Sequence, residues 1–162
     1  MTKEIRLIVR THSGEGTVDV GRKLGALLHG GDVIALSGEL GSGKTWFTKG
    51  MALGLGVSPH MVVTSPSFAL MNEYEGEIPL FHMDVYRLDK VSDFLDTGLE
   101  EYLHGEGVVA MEWSDRWPQI LPDWCVQVHL TVLDETSREI ALSGQHKRAV
   151  AILEQMKQEL ER

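Results

Sequence analysis

Apolar residues along the chain recur with two periods, one typical of strands and one typical of helices. Around residues 5–9, polar and apolar positions alternate, which predicts a half-buried first strand. Over Thr17–His29, valine and leucine recur at helical spacing, and Gly30 and Gly31 supply a stop signal. This second segment is therefore predicted to be a short amphipathic helix.

The next segment joins an uninterrupted apolar run to a glycine-rich loop. Val33–Leu36 is apolar at every position, as is typical of a strand buried on both faces of a parallel sheet. Beyond the loop, Phe47, Met51 and Leu55 mark the buried face of a second helix, and Gly56 suits its carboxyl-terminal cap. Strand, glycine loop and helix thus follow one another directly.

The rest of the chain predicts three more strands, a helix, a late hairpin and a closing helix. The strands are expected over Phe68–Tyr74, Leu80–Tyr86 and Val108–Met111, the helix over Val91–Leu103, and the hairpin over Val126–Val132 and Glu139–Leu142. The closing helix buries Ala149, Val150, Leu153, Met156 and Leu160. We therefore predict an α/β fold with three layers, a mostly parallel central sheet and a late β-ribbon. Residues 1–162 are expected to form one domain.

The glycine loop carries the most specific signal in the sequence. Its residues match the pattern G-x-x-x-x-G-K-[ST] in full, as Gly38-Glu39-Leu40-Gly41-Ser42-Gly43-Lys44-Thr45. Glycines allow successive backbone N–H groups to turn towards phosphate oxygens, and the helix amino terminus adds the positive end of its dipole. Lys44 is expected to reach the β- and γ-phosphates, and the Thr45 hydroxyl to bind magnesium. We therefore predict that this loop binds ATP together with Mg²⁺.

Two carboxylates are candidates for the chemistry that nucleotide hydrolysis would need. Glu112 ends the apolar run that begins at Val108, at the strand edge where open α/β sheets bind ligands, and is the predicted magnesium ligand. The alternative for Glu112 is an ordinary solvated carboxylate. Asp84 shares one strand face with His82 and Tyr86, which suits a metal or water site on a central strand. An edge strand with a wet face is the open alternative for this segment.

Other motifs are weaker, and several are absent. Thr64–Phe68 offers hydroxyls around a rigid proline and is a candidate γ-phosphate switch, although the pattern alone favours a simple turn. The guanine-reading motif N-K-x-D and the switch motif D-x-x-G are missing, which disfavours a GTPase of the Ras kind. No G-x-S-x-G elbow occurs. The seven histidines show no metal-ligand spacing, and each is interpreted as a surface or packed residue.

The composition indicates which partners and which cellular compartment to expect. The formal net charge of −9 disfavours direct binding of DNA or RNA, so any nucleic acid is expected to be held by a partner protein. The sole cysteine, Cys125, cannot form an intramolecular disulfide, which fits a reducing cytoplasm. The sequence predicts no signal peptide and no membrane span. We therefore expect a cytoplasmic protein.

Five segments of the chain, in their order, resemble those of the bacterial TsaE proteins, formerly YjeE. These proteins are ATPases of the tRNA threonylcarbamoyladenosine pathway. The resemblance extends over most of the chain. It is carried by the glycine loop Gly38–Thr45, Thr64-Ser65-Pro66-Ser67-Phe68, His82-Met83-Asp84-Val85-Tyr86-Arg87-Leu88, Gly98-Leu99-Glu100-Glu101-Tyr102 and Glu112-Trp113.

The resemblance implies a P-loop NTPase-like three-layer α/β fold and an ATPase whose catalytic residues are Lys44, Asp84 and Glu112. It implies that Thr45 and Glu112 bind magnesium, that Asp84 lies close to the metal or the attacking water, and that Thr64–Phe68 is the switch-like loop. The nucleotide itself is expected to contact Gly41, Ser42, Gly43, Lys44, Thr45 and Trp46. An adenine pocket is expected between an early loop near Thr17 and the late ribbon near Arg138. The expected partner is the TsaB–TsaD complex, which attaches a threonylcarbamoyl group to tRNA.

The chain departs from the family pattern beside the predicted α-phosphate site. Trp46 stands where the family usually has Thr or Ser, so a side-chain hydroxyl is lost there and only the backbone N–H remains. We expect an ATP-hydrolysing component of tRNA modification that is slow alone and depends on its partners. A small-molecule kinase and a non-catalytic ATP-sensing subunit remain the alternatives.

Overall fold

The computed structural model describes residues 3–66 and 70–162, which form one seven-stranded sheet with helices packed on both faces. The strands are β1 (Ile5–Thr11), β2 (Val33–Gly38), β3 (Met71–Tyr74), β4 (Leu80–Asp84), β5 (Val108–Glu112), β6 (Val126–Val132) and β7 (Arg138–Gly144). The α-helices are α1 (Gly14–Gly25), α2 (Lys44–Gly54), α3 (Val91–Thr97), α4 (Glu100–Leu103) and α5 (Lys147–Leu160). Two 3-10 turns cover Ser114–Arg116 and Pro118–Ile120.

The sheet has a parallel centre and antiparallel margins. Its strand order is β1-β7-β6-β2-β5-β4-β3, in which β6, β2, β5 and β4 run parallel to one another. β7 pairs antiparallel with both β6 and β1, and β3 pairs antiparallel with β4. The mostly parallel centre and the late ribbon of β6 and β7 are therefore confirmed. β2 lies in the middle, so the loop that follows it opens at the carboxyl edge of the parallel strands.

The alternation of side chains along β2 shows why the fold has three layers. Ile34 and Leu36 point into an apolar cluster with α1, α2 and α5, whereas Val33 and Ala35 point into a cluster with α3 and α4 on the other face. All four side chains are buried, as the uninterrupted apolar run predicted. Burying both faces in this way fixes β2 at the centre of the sheet.

Glycines hold α1 and α2 unusually close together. A Cβ on Gly21 would collide with the Phe47 carbonyl, and a Cβ on Gly25 would collide with the carbonyl of Met51. Gly21 approaches Phe47, and four residues later Gly25 approaches Met51. The contacts therefore move in the same direction along both helices, and α1 and α2 run parallel. Their amino termini therefore lie side by side, where the ring of Trp46 covers Gly14.

Several predicted boundaries differ from those observed. The first helix begins at Gly14 rather than Thr17, because the Ser13 hydroxyl accepts a hydrogen bond from the Gly16 N–H. It ends at Gly25, and Leu27 and Leu28 continue in a tighter turn of i to i−3 hydrogen bonds. The predicted helix Val91–Leu103 is divided into α3 and α4 at Gly98, whose φ of 78° is left-handed.

The strand predictions also need correction. The segment predicted as Leu80–Tyr86 ends at Asp84, where the Asp84 carboxylate accepts a hydrogen bond from the Tyr86 N–H and turns the chain. The edge-strand alternative for it is wrong, because β4 lies between β5 and β3. Of the segment predicted over Phe68–Tyr74, β3 covers Met71–Tyr74, and Phe68 and Ala69 lie outside the described residues, as do Ser67 and Phe68 of the predicted switch loop. Within 3–66 and 70–162, no helix has the length and apolar character needed to cross a membrane.

The close packing of α1 on α2 predicts a sharp difference between two glycines of α1. We expect Gly21→Ala to lower the free energy of unfolding by about 1–3 kcal/mol, because its methyl group would force the helices apart. Gly16→Ala is the matched control, since its methyl group would meet the nearest atom only at 3.4 Å. Urea unfolding of both variants measures the difference. Equal stability of the two variants would contradict the close approach of the helices.

Candidate functional site

The glycine loop joins the centre of the sheet to the amino terminus of α2. β2 ends at Gly38, and α2 begins at Lys44 behind Gly43, whose φ of 103° is left-handed. That conformation is easily adopted only by glycine, and it turns the loop into the helix. The loop therefore takes the strand–loop–helix arrangement that a phosphate cradle requires.

Lys44 is buried beneath this loop and is held by three neighbours. Its Nζ donates to the carbonyl oxygens of Gly38 at 2.6 Å and Glu39 at 3.0 Å, and lies 4.4 Å from the ring centroid of Trp113. Burial lowers the pKa of the Lys44 ammonium, while the charges of Glu112, Asp84 and Asp115 oppose that shift. The lysine is thus positioned inside the loop by contacts that a phosphate group can replace.

The two predicted carboxylates are neighbours across β4 and β5. Asp84 and Glu112 form a register pair at the carboxyl ends of these parallel strands, and both line one cavity with Lys44 and Thr45. The cavity has a volume of about 480 Å³. Burial raises the pKa of the Asp84 carboxyl, and the nearby charge of Glu112 adds to that rise. The sequence therefore identified side chains that the fold brings together.

Glu112 is almost fully buried, and hydrogen bonds keep it ionised. Its Oε2 accepts from the Ser65 hydroxyl at 2.9 Å and lies 2.6 Å from His82 Nε2. Burial alone raises the pKa of a carboxyl, but these bonds and the charge of Lys44 outweigh it and lower the pKa of Glu112. The solvated alternative for Glu112 is wrong, since only 2% of the residue is exposed.

His82 is a member of the site that the sequence interpretation missed. The interpretation of each histidine as a surface or packed residue agrees with its burial, but His82 also contacts Glu112, with Nε2 2.6 Å from Oε2. Its Nδ1 has no hydrogen-bond partner within the described ranges, so Nε2 is the nitrogen that donates to the carboxylate. The signal was present in the polar face that His82 shares with Asp84, but sequence alone does not identify its partner.

Trp113 forms an aromatic wall between Lys44 and the exposed ring of Tyr86. The centroids of Tyr86 and Trp113 are 4.7 Å apart. Trp113 has a φ of 62°, which is uncommon for a bulky residue and indicates local backbone strain. The next residue, Ser114, is buried and donates its hydroxyl to the Leu36 carbonyl, which anchors the strained segment to β2.

The residues predicted for the adenine side occupy different surroundings. Thr17 lies in the first turn of α1, not in a loop; it is 1% exposed and its hydroxyl is bonded to Thr11. Arg138 begins β7 and donates to the carbonyls of Ser42 and Gly41, so it braces the glycine loop from the ribbon. Trp46, by contrast, is 51% exposed and lines the cavity. Contact of Thr17 and Arg138 with adenine stays a prediction.

Hard oxygen donors converge where magnesium is expected. Thr45, Asp84, Glu112 and Ser65 all line the cavity beside Lys44. Among the described residues no group of three or more His, Cys, Asp and Glu side chains forms a metal cluster. A protein site for Mg²⁺ commonly supplies only one or two carboxylates, with substrate phosphates and water completing the shell. The donor set therefore fits magnesium bound together with a nucleotide.

Comparison with known proteins identifies related sequences along most of the chain. The family model "Threonylcarbamoyl adenosine biosynthesis protein TsaE" matches residues 11–140. The tRNA threonylcarbamoyladenosine biosynthesis protein TsaE of Treponema pallidum is 43% identical over 82% of this chain and 97% of that protein. Its counterpart in Bacillus subtilis is 39% identical over 91% of both chains. The crystal structure of Bacillus subtilis YdiB superposes with a TM-score of 0.83 at 34% identity, covering 98% of this chain and 99% of that one.

The buried contact between His82 and Glu112 predicts a measurable coupling. We expect His82→Phe to lower the free energy of unfolding by about 3 kcal/mol, because it leaves a buried carboxylate short of one donor. The same substitution in a Glu112→Gln background should cost less, since a neutral amide needs less compensation. Denaturant unfolding of the four proteins of this cycle gives the coupling energy. Additive losses would show that the contact contributes nothing.

Proposed function

The chain belongs to the TsaE family of threonylcarbamoyl adenosine biosynthesis proteins, and from this we propose that it is the magnesium-dependent ATPase component of that pathway. In this proposal it binds and hydrolyses ATP, is slow alone, and is required for tRNA threonylcarbamoyladenosine formation together with the TsaB–TsaD complex. One observation carries the proposal: a buried lysine at the start of α2 shares a cavity with two carboxylates at adjacent strand ends.

The binding step depends on the glycine loop and on Lys44. The loop N–H groups and the amino terminus of α2 attract phosphate oxygens, and the Lys44 ammonium exchanges its two carbonyl contacts for the β- and γ-phosphates. Trp113 excludes water from one side of that ammonium, which strengthens its attraction for phosphate. These contacts hold the terminal phosphate near Asp84 and Glu112.

The hydrolytic step depends on the two carboxylates. Glu112 is held by His82 and Ser65 and remains ionised, so it offers a fixed acceptor beside Thr45, with which it would hold magnesium. When bound, Mg²⁺ would neutralise charge that develops on the phosphate oxygens. Asp84 lies next to Glu112, and in this proposal it orients the attacking water by accepting one of its protons in a hydrogen bond.

Charge favours an indirect relationship with tRNA. A chain with a net charge of −9 is repelled by a polyanion at long range, so the substrate RNA is better held by partner proteins. Ser65 links the segment after α2 to Glu112, so a change in this segment would be felt at the carboxylate. We propose that the TsaB–TsaD complex and ATP act on each other through that segment.

Substitution of single side chains should separate ATP binding from ATP turnover. We expect Lys44→Ala to abolish measurable ATP affinity, because it removes the cation that faces the phosphates. Glu112→Ala and Asp84→Ala should bind ATP but lose magnesium-dependent turnover, measured as phosphate release with the partner proteins present. Undiminished turnover in Glu112→Ala would remove that residue from the mechanism. Transfer of phosphate to a metabolite instead of water would favour a kinase.

The pathway assignment is tested by omission from a reconstituted reaction. We expect repeated synthesis of threonylcarbamoyladenosine in tRNA to require this protein, and Lys44→Ala to fail as a replacement. The measurement is modified nucleoside formed per partner complex over many turnovers. Product accumulating equally well without the protein would contradict the assignment. Full activity with a variant that binds ATP without hydrolysing it would favour a non-catalytic sensing subunit.

A further inference from the structure

Trp46 occupies an unusual position for a large apolar side chain. It lies in the first turn of α2, directly after Thr45, and 51% of the residue is exposed. One side of its ring rests on Gly14 of α1, since ring atoms come within 3.3 Å of the place where a Gly14 Cβ would be. The ring also lines the same cavity as the glycine loop and Lys44.

The two ends of this cavity differ in chemistry. One end holds Asp84 and Glu112, which belong to β4 and β5 on one side of β2. Trp46 lies on the other side of β2, against Gly14 of α1. Helix α1 in turn contacts β1 and α5. If the terminal phosphate faces the carboxylates, the nucleoside must leave the glycine loop at the opposite end. That end is the side on which the Trp46 ring is exposed.

Other side chains at this end are already engaged. Thr17 is 1% exposed, and its hydroxyl is bonded to the hydroxyl of Thr11. The Arg138 guanidinium donates to loop and ribbon carbonyls, including those of Gly41 and Ser42. The Lys49 ammonium lies 6.0 Å from the centroid of the Trp46 ring, at the limit of an effective cation–π contact. The Trp46 ring, in contrast, is half exposed and offers an aromatic face there.

We propose that Trp46 is a nucleobase-stacking residue, against which the adenine of bound ATP packs. This inference rests on the proposed ATP binding and extends it to the base. Gly14 supports the ring from below, so that little side-chain freedom is lost when the base arrives. An aromatic face binds any purine by stacking.

The test compares ATP with inorganic tripolyphosphate, which has the phosphates and lacks the base. We expect Trp46→Leu to weaken ATP binding about tenfold, because stacking on an aromatic side chain is lost. Its tripolyphosphate affinity should be unchanged. Trp46→Phe is the matched control, since it keeps an aromatic face and should retain most of the ATP affinity. Isothermal titration calorimetry measures the affinity of the wild-type protein and of each variant for both ligands, with a thermal melt of each protein.

A second variant keeps the test independent of any folding defect in Trp46→Leu. Trp46→Thr also removes the aromatic face and should likewise lower the ratio of ATP affinity to tripolyphosphate affinity. Equal weakening of both ligands would overturn the inference, because the ring would then act by supporting the glycine loop. Unchanged ATP affinity in both variants would overturn this inference alone. Failure of the wild-type protein to bind ATP would overturn the proposed function with it.

Discussion

The buried carboxylate of Glu112 is the constraint around which the functional edge of this protein is organised. A charge that is only 2% exposed is tolerated in a protein interior only when neighbouring groups compensate it. Three different segments do so here: β4 contributes His82, the segment after α2 contributes Ser65, and the glycine loop contributes the charge of Lys44. Each of these segments is therefore fixed with respect to the end of β5.

The contact between α1 and α2 provides the second half of the arrangement. Because glycines allow the two helices to approach closely and in parallel, their positive amino termini lie together at the carboxyl edge of the sheet. The register of β4 with β5 places the acidic groups on the other side of the same opening. The cavity therefore has a positive side, formed by the helix ends and Lys44, and an acidic side, formed by Asp84 and Glu112. The order of the strands thus places these two kinds of group on different sides of the cavity.

Features that depend on a local sequence pattern could be predicted from the sequence. Features that depend on which strands pair across the sheet could not. The glycine loop has a fixed spacing, and Glu112 and Asp84 lie at strand ends, so their convergence follows from parallel strands sharing one edge. His82 was missed because its partner lies 30 residues away on another strand. The placement of β4 inside the sheet depends on its pairing with β3, a short strand with little periodic signal. The break at Gly98 was overlooked because apolar spacing continues through it.

Two tryptophans, Trp113 and Trp46, line the cavity, and they are held in place in different ways. Trp113 is held in a left-handed conformation, which costs on the order of 1–3 kcal/mol, and the bond from Ser114 to the Leu36 carbonyl helps to maintain it. Its ring packs against the apolar layer that contains α3 and α4 and also lies beside the Lys44 ammonium. Trp46 needs no strain, because a glycine beneath it leaves room for the ring. Backbone conformation therefore positions the aromatic group beside Lys44, whereas the absence of a side chain on Gly14 positions the one at the amino termini of α1 and α2.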